Sequence, residues 1–278
     1  MRIYRIMERV AKKSLGQNFL KDETILEQIL TTAEVGPADH VFEVGPGTGA
    51  LTERLVERVN HVVAVELDHA LVERLQAHFE GSQGISILEG NVLDMNLNAV
   101  LKQAGCERGK FKVVANIPYY ITAPIIRSLL SLELQPKSLT LMVQKEVAER
   151  MTAKPGDMSL LSLMVQFYSE AQIAFLVPRT AFDPEPAVDS AVVQLIPKRC
   201  FDAERDRTLF RVARAGFSAR RKTLANNLSA SFHLERSLVE KILTEEGLRT
   251  DIRAQALAVG EWEKLTQALT LHLTSSSG

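Results

Sequence analysis

The sequence is poor in the residues that build disulfides and metal sites. It contains two cysteines, Cys106 and Cys200, and its six histidines are scattered without ligand spacing. Two cysteines cannot form a disulfide framework or a zinc site, so we expect no metal and a reducing, cytoplasmic environment. No apolar run is long enough to span a bilayer, and the first 14 residues are too charged for a signal-peptide core. These absences argue against a membrane protein and a disulfide-stabilised secreted protein.

The net charge of the sequence is also small. The formal charge is −1 and the pI is about 6.6, which by itself argues against a nucleic-acid binder. The charge is unevenly distributed, however, because residues 1–21 carry +5 and residues 198–222 carry +6. Two basic blocks in a nearly neutral protein predict that positive charge is concentrated on one side of the surface. Solvated helix faces produce the same pattern, so charge alone does not decide the function.

The order of hydrophobic patterns predicts an α/β fold. Short buried strands alternate with amphipathic helices, which is typical of a mostly parallel, Rossmann-like sheet covered on both faces. The predicted strands of this part cover residues 40–45, 61–66, 85–88, 111–115 and 139–143. Residues 172–177 and 190–196 predict an antiparallel hairpin at the sheet edge. Only helical periodicity follows, so we expect a domain of residues 1–197 and a small all-α domain of residues 198–278.

The segment FKVVANIPYY (111–120) predicts a strand that stops abruptly at a polar turn. Pro118 lacks a backbone donor and biases Ile117 toward extended geometry. Asn116 Oδ1 and the Ile117 carbonyl can both accept hydrogen bonds from one exocyclic amine, and Tyr119 offers a face for a base. Two acceptors out of the ring plane would make such an amine more nucleophilic. A plain strand end with a turn is the simpler interpretation of this motif taken alone.

The segment EVGPGTG (43–49) lies between a predicted strand and a predicted helix, where glycines let backbone approach a ligand. Gly45 and Gly47 also satisfy a dinucleotide fingerprint, and Glu66, about 20 residues on, suits ribose hydroxyls. Glu43 favours S-adenosylmethionine over NAD, because a carboxylate disfavours a pyrophosphate but tolerates an ammonium group. Asn91 follows the third strand and is a candidate contact to an adenine ring, while the neighbouring Asp94 suits a helix cap at 95–102.

Six motifs together resemble the KsgA-type ribosomal RNA adenine dimethyltransferases. They are LGQNFLKD (15–22), EVGPGTG (43–49), VELD (65–68), NIPYYITAPII (116–126), FDPEPAVDSAVV (182–193) and RRKTLANNL (220–228). The resemblance runs from about Lys12 to Leu269. It implies a class I methyltransferase sheet and dimethylation of N6 on two adjacent adenosines near the 3′ end of small-subunit (16S) rRNA. S-adenosylmethionine is the implied cofactor.

The resemblance also implies roles for individual residues. The implied cofactor-binding residues are Asn18, Leu20, Gly45, Gly47, Glu66, Asn91 and Asn116, with Asn91 standing where the family usually has Asp. The implied catalytic residues are Asn116, Ile117, Pro118 and Tyr119. The implied substrate-binding residues are Tyr119, Phe182 as a second wall of the base pocket, and the basic Arg220, Arg221 and Lys222. Phe182 suits hinge packing equally well.

Three other functions stay open at this point. The related antibiotic-resistance methyltransferases of large-subunit rRNA share the catalytic motifs, although FDPEPAVDS and RRKTLANNL look more like the small-subunit type. A non-catalytic assembly or transcription factor on the same fold is a second alternative, and an NAD-dependent oxidoreductase is a third. We expect a monomer that acts on an assembling small subunit, with a role in ribosome biogenesis.

Overall fold

The computed structural model describes residues 17–274, which form two compact units. The first unit holds residues 17–149 and Ser169–Cys200, and the second holds Arg150–Tyr168 and residues 201–274. Most of the basic N-terminal block, residues 1–16, lies outside the described part. No helix between residues 17 and 274 combines the length and the apolar character that crossing a membrane requires.

Between residues 17 and 200 the first unit contains nine strands, seven of which form one sheet. The strands are β1 (Phe19–Leu20), β2 (His40–Val44), β3 (His61–Glu66), β4 (Ile85–Glu89), β5 (Phe111–Asn116), β6 (Ser138–Gln144), β7 (Ser169–Val177), β8 (Phe182–Asp183) and β9 (Ser190–Pro197). The order across the sheet is β4-β3-β2-β5-β6-β9-β7, and β1 pairs with β8 in a separate two-stranded ribbon. Strands β2 to β6 are parallel, whereas β9 runs antiparallel to both β6 and β7. The predicted α/β class and edge hairpin are confirmed.

Helices follow the strands and cover the sheet. They are α1 (Glu23–Ala33), α2 (Ala50–Val56), α3 (His69–His78), α4 (Leu97–Gln103), α5 (Thr122–Leu130) and α6 (Lys145–Met151), whereas α7 (Leu160–Tyr168) belongs to the second unit. Asp22 caps α1 and Asp68 caps α3 by accepting backbone N–H bonds, which is a common role of Asp at a helix N-cap. Asn96, and not Asp94, caps α4. The central strands β2, β3 and β5 are almost entirely buried, which explains their continuous apolar runs.

The second unit is helical. Its C-terminal part contains α8 (Ala203–Gly216), α9 (Leu224–Phe232), α10 (Arg236–Glu245) and α11 (Val259–Thr274), as the helical periodicity of residues 198–278 predicts. The sequence prediction placed residues 150–168 in the first domain because they precede the edge hairpin. The structure groups them with the C-terminal helices, since Phe167 and Tyr168 pack on Phe210 at ring-centroid distances of 5.7 and 5.9 Å. Tyr168 also donates a hydrogen bond to the buried Asp206.

Candidate active site

The carboxyl ends of β2, β3 and β5 open onto one cavity of the first unit. Because parallel strands end at the same edge of a sheet, Val44, Glu66 and Asn116 come together there. The cavity encloses about 1080 Å³, including the solvent at its mouth. Its lining includes every residue predicted to bind the cofactor: Asn18, Leu20, Gly45, Gly47, Glu66, Asn91 and Asn116.

The glycine loop between β2 and α2 takes a conformation that side chains disfavour. Gly45, Gly47 and Gly49 have φ angles of +66°, +58° and +85°. A Cβ atom on Gly49 would lie 2.8 Å from a terminal methyl group of Leu75, so a side chain at this position would also displace that methyl group of α3. The Gly45 N–H donates to the Val65 carbonyl at 2.9 Å, which anchors the loop to β3. Glycine therefore lets this loop form one wall of the cavity.

Glu66 links the glycine loop to the end of β3. Its Oε2 accepts from the Gly47 N–H at 3.0 Å, and its Oε1 accepts from the Leu67 and Asp68 N–H groups at 2.9 Å each. Burial raises the pKa of this carboxyl above its ordinary value, while the three backbone donors oppose that rise. A carboxylate held this way suits hydroxyl donors of a ribose.

Glu43 is the second carboxyl in the lining. It is 1% exposed and accepts a hydrogen bond of 2.8 Å from the Thr52 hydroxyl. Burial raises its pKa to about 8. The free protein therefore holds a proton on this carboxyl at neutral pH.

The loop after β5 faces the glycine loop. Asn116 pairs with Met142 of β6, and the Ile117 N–H donates to the Met142 carbonyl at 3.0 Å, which carries the strand geometry one residue further. Within residues 17–274, no hydrogen bond engages the Asn116 amide or the Ile117 carbonyl. A Cβ built on Gly45 would lie 3.8 Å from the Pro118 ring. The predicted acceptors thus adjoin the predicted cofactor loop.

Tyr119 and Tyr120 begin a short 3-10 turn, Tyr119–Ile121, and both line the cavity. The Thr122 hydroxyl donates to the Pro118 and Tyr119 carbonyls, both at 3.1 Å, and so holds the turn. The Tyr119 hydroxyl shares a hydrogen bond of 2.5 Å with the hydroxyl of Ser190. Tyr120 is 55% exposed.

The segment before α1 covers the glycine loop. A Cβ on Gly47 would meet the Phe19 ring at 3.2 Å, so Phe19 lies directly on the loop. The Gln17 amide donates to Asp68 at 3.3 Å, and the β1–β8 ribbon ties Leu20 to Phe182. These contacts place the QNFL motif in the cavity wall.

One predicted site residue, Phe182, is placed differently from expectation. Phe182 is 1% exposed and belongs to the hydrophobic core under the ribbon, so it does not line the cavity as a second wall. The ribbon pairing points its ring inward, which favours the packing alternative. Asn91 does line the cavity, but its amide donates to Asp94 at 2.7 Å and accepts from the Leu93 N–H. Its side chain is therefore oriented by its own loop.

The predicted basic residues lie in the second unit. Arg220, Arg221 and Lys222 are exposed in the turn between α8 and α9. The buried Asn227 amide donates to the Gly216 and Ala219 carbonyls at 2.6 and 3.1 Å, which fixes the start of this turn. The three cations are thus presented to solvent by a turn of defined shape.

Four residues that line the cavity were not predicted from the sequence. Gln17, Phe19, Leu67 and Tyr120 line the cavity. Phe19 and Leu67 stand inside the quoted motifs, beside the residues that were chosen, and Leu67 is 46% exposed although it is apolar. No group of His, Cys, Asp and Glu side chains in the described part of the chain is arranged to hold a metal ion.

Comparisons with known proteins identify the family of this chain. A family model described as ribosomal RNA adenine dimethylase matches residues 9–270. The ribosomal RNA small subunit methyltransferase A of Bacillus cytotoxicus is 42% identical over 268 residues, covering 94% of this chain and 92% of the relative. The protein of the same name from Dehalococcoides mccartyi is 41% identical, covering 92% of this chain and 87% of the relative.

Two solved structures share the whole architecture. A dimethyladenosine transferase from Plasmodium falciparum superimposes with a TM-score of 0.76 at 27% identity, covering 91% of this chain and 98% of that one. The 23S rRNA methyltransferase ErmE superimposes with a TM-score of 0.68 at 26% identity, covering 91% of this chain and all of that one. The resemblance seen in the motifs is confirmed, and the chain belongs to the ribosomal RNA adenine dimethylase family.

Proposed function

We propose that this protein transfers methyl groups from S-adenosylmethionine to N6 of two adjacent adenosines near the 3′ end of small-subunit rRNA. One observation carries the proposal: two unengaged acceptors, Asn116 Oδ1 and the Ile117 carbonyl, adjoin the glycine loop in one cavity. The names of the relatives at 41–42% identity support the small subunit, whereas the solved 23S rRNA enzyme is 26% identical.

The cavity residues fit S-adenosylmethionine. Glu66 offers acceptors for the ribose hydroxyls, and the exposed side of Leu67 offers an apolar surface for the adenine ring. The lining described here contains two carboxyl side chains and no Lys, Arg or His. Glu43 holds a proton, so it is the absence of cationic side chains, together with the Glu66 acceptors, that suits a ligand carrying a sulfonium and an ammonium group better than a pyrophosphate. NAD is accordingly the weaker candidate.

The bound cofactor would supply an electrophilic methyl group on a sulfonium centre. The chain's task is then to position the adenine amine, because aligned reacting atoms about 3–3.5 Å apart account for much of the barrier reduction. Asn116 and Ile117 accept the two amine hydrogens out of the ring plane and direct the nitrogen lone pair toward the methyl group. Tyr119 stacks on the base, a contact worth about 1–3 kcal/mol.

No general base is assigned to the cavity. The N6-ammonium product is acidic enough to lose its proton to water. Glu66 is engaged by three backbone donors, and Glu43 holds a proton at neutral pH through its burial. Both carboxyls therefore have structural reasons for their position. Reaching the amine requires an unpaired or flipped base, which is least costly in a loop.

The exposed cations Arg220, Arg221 and Lys222 are proposed to bind RNA phosphates, so substrate affinity should fall with salt. We further propose that the protein works as a monomer, in the cytoplasm, on an assembling small subunit.

The test is methyl transfer from radiolabelled S-adenosylmethionine to purified unmethylated small and large ribosomal subunits. The proposal predicts label in the small subunit only, which chromatographs as N6,N6-dimethyladenosine. Label in the large subunit would favour the resistance-enzyme alternative. No label in either, despite measurable cofactor affinity, would favour a binding protein, and thermal stabilisation by NADH alone would favour the oxidoreductase.

A further inference from the structure

The Tyr119 ring is tethered at its far end. Its hydroxyl shares a 2.5 Å hydrogen bond with Ser190 Oγ, the side chain of the first residue of β9. Tyr119 belongs to the turn after β5, so this bond joins the target-amine loop to a strand 71 positions away in sequence. Nothing in the Asn-Ile-Pro-Tyr motif itself requires this partner.

Ser190 is a rigid anchor. It is fully buried, and its backbone is paired on both sides, with Gln144 of β6 and with Val177 of β7. Asp189, the residue before it, accepts from the Arg179 N–H at 3.0 Å, and its carbonyl accepts from the Lys145 N–H at 3.0 Å. The position of Ser190 is therefore fixed by the pairing of β9 with both of its neighbouring strands.

Tyr119 needs such an anchor because its backbone alone does not fix its ring. The turn bonds made by Thr122 hold the carbonyls of Pro118 and Tyr119 but leave rotation about the Tyr119 side-chain bonds free. Burial raises the pKa of Tyr119, so the phenol keeps its proton at neutral pH and the bond to Ser190 joins two uncharged groups. A bond at the far end of the ring removes this rotational freedom.

We propose that Ser190 is a positioning residue for methyl transfer, which holds the Tyr119 ring in the orientation that stacks on the target adenine. The inference rests on the proposed function and adds to it a residue of β9, a strand paired on both sides. Ser190 does not touch the adenine; it acts through Tyr119. Pre-organising the ring before the base arrives reduces the conformational entropy that is lost on binding.

The test is a double-mutant cycle on methyl transfer to unmethylated small subunits. Ser190→Ala and Tyr119→Phe each remove one partner of the bond, and each should lower kcat/KM for the subunit about 3- to 10-fold, the range of one uncharged hydrogen bond. The double variant should lose no more than either single variant, because the same bond is removed. The affinity for S-adenosylmethionine should stay within about twofold in all three, since the bond lies on the base side of the cavity.

A matched control is Ser138→Ala. It removes a buried hydroxyl at the first residue of β6, whereas Ser190 pairs with Gln144 at the last residue of that strand, so kcat/KM should stay unchanged. Wild-type kinetics in Ser190→Ala, or equal further losses when the two substitutions are combined, would overturn the positioning role. A wild-type protein that labels neither subunit would overturn the proposed function, and this inference with it. An active wild type beside an unaffected Ser190→Ala would overturn this inference alone.

Discussion

The cavity of the first unit and the basic turn of the second unit differ in the charged groups that they present. The cavity is lined by glycine backbone, amide and carbonyl acceptors and two buried carboxyls, with no cationic side chain among its described lining residues. The turn presents three exposed cations, Arg220, Arg221 and Lys222, on a backbone fixed by Asn227. The proposed cofactor is cationic and the proposed RNA substrate is polyanionic, so we expect the first region to control the chemistry and the second to control the affinity.

The largest effect is expected from Asn116→Ala. The substitution removes one of two pre-organised acceptors for the amine, and the loss of one such group typically lowers kcat about 100- to 1000-fold. Single-turnover methyl transfer at saturating enzyme measures this change. Asn60→Ala removes an exposed amide at the other end of β3, where it bonds His40, and should keep the wild-type rate. A rate within threefold of wild type in Asn116→Ala would show that the acceptor is dispensable.

Gly49→Ala should produce the next largest effect. The added Cβ meets Leu75 at 2.8 Å and the φ of +85° disfavours any side chain, so we expect the glycine loop to move and cofactor affinity to fall at least about tenfold. Calorimetric titration with S-adenosylmethionine measures the affinity. Gly81→Ala is a matched control, because its φ is +80° but no atom lies within 4 Å of the added Cβ. Equal affinity losses in the two variants would contradict the packing argument.

Replacing Arg220, Arg221 and Lys222 together with Ala should weaken subunit binding about 10- to 30-fold near physiological salt. The slope of log affinity against log salt should fall by about 2, because each phosphate contact contributes about 0.7–0.9. The control variant replaces Arg236, Lys241 and Arg249 with Ala. The charges of these residues are paired with Glu240, Glu245 and Asp251 in the same unit. An identical salt slope in the two triple variants would remove the basic turn from the RNA interface.

The smallest effect on activity is expected for Glu43, which belongs to the chemical region but acts on stability. Because its folded-state pKa is about 8 against an ordinary 4.5, the folded protein retains a proton that the unfolded chain releases above pH 4.5. This contribution to stability is complete below pH 4.5 and is lost as the pH rises to 8. Glu43→Gln should reduce this loss of folding stability by up to a few kcal/mol, because one pKa unit corresponds to about 1.4 kcal/mol.

Urea unfolding at pH 5 and pH 8 measures the change for Glu43→Gln. Glu66 has a pKa raised by the same cause, so part of the decline should persist in the variant. Glu57→Gln, an exposed carboxyl at the end of α2, serves as the control and should keep the wild-type decline. An unaltered pH dependence in Glu43→Gln would contradict the assignment of a buried proton to this residue.

The contrast between the two regions also shows what the sequence could predict. Strand ends and glycines are local features, so the sequence pattern alone indicates the loops in which Gly45 and Asn116 line the cavity. The grouping of residues 150–168 with the second unit, and the bond between Tyr119 and Ser190, depend on packing between distant segments. Periodicity contains no information on such contacts.

Phe182 illustrates the same limit. An aromatic residue next to a Pro-rich loop suits a base pocket and a hydrophobic core equally well by sequence. The pairing of two-residue strands, Leu20 with Phe182, decides between them, and strands that short leave no alternating pattern to detect.

The most direct test measures subunit affinity and single-turnover methyl transfer side by side for two proteins, Asn116→Ala and the Arg220, Arg221 and Lys222 triple variant. The account predicts that Asn116→Ala binds small subunits like wild type but transfers methyl groups at least about 100-fold more slowly at saturation. It predicts that the triple variant binds more weakly but approaches the wild-type rate once saturated. Equal losses of affinity and saturated rate in both variants would contradict the division between a chemical region and an affinity region.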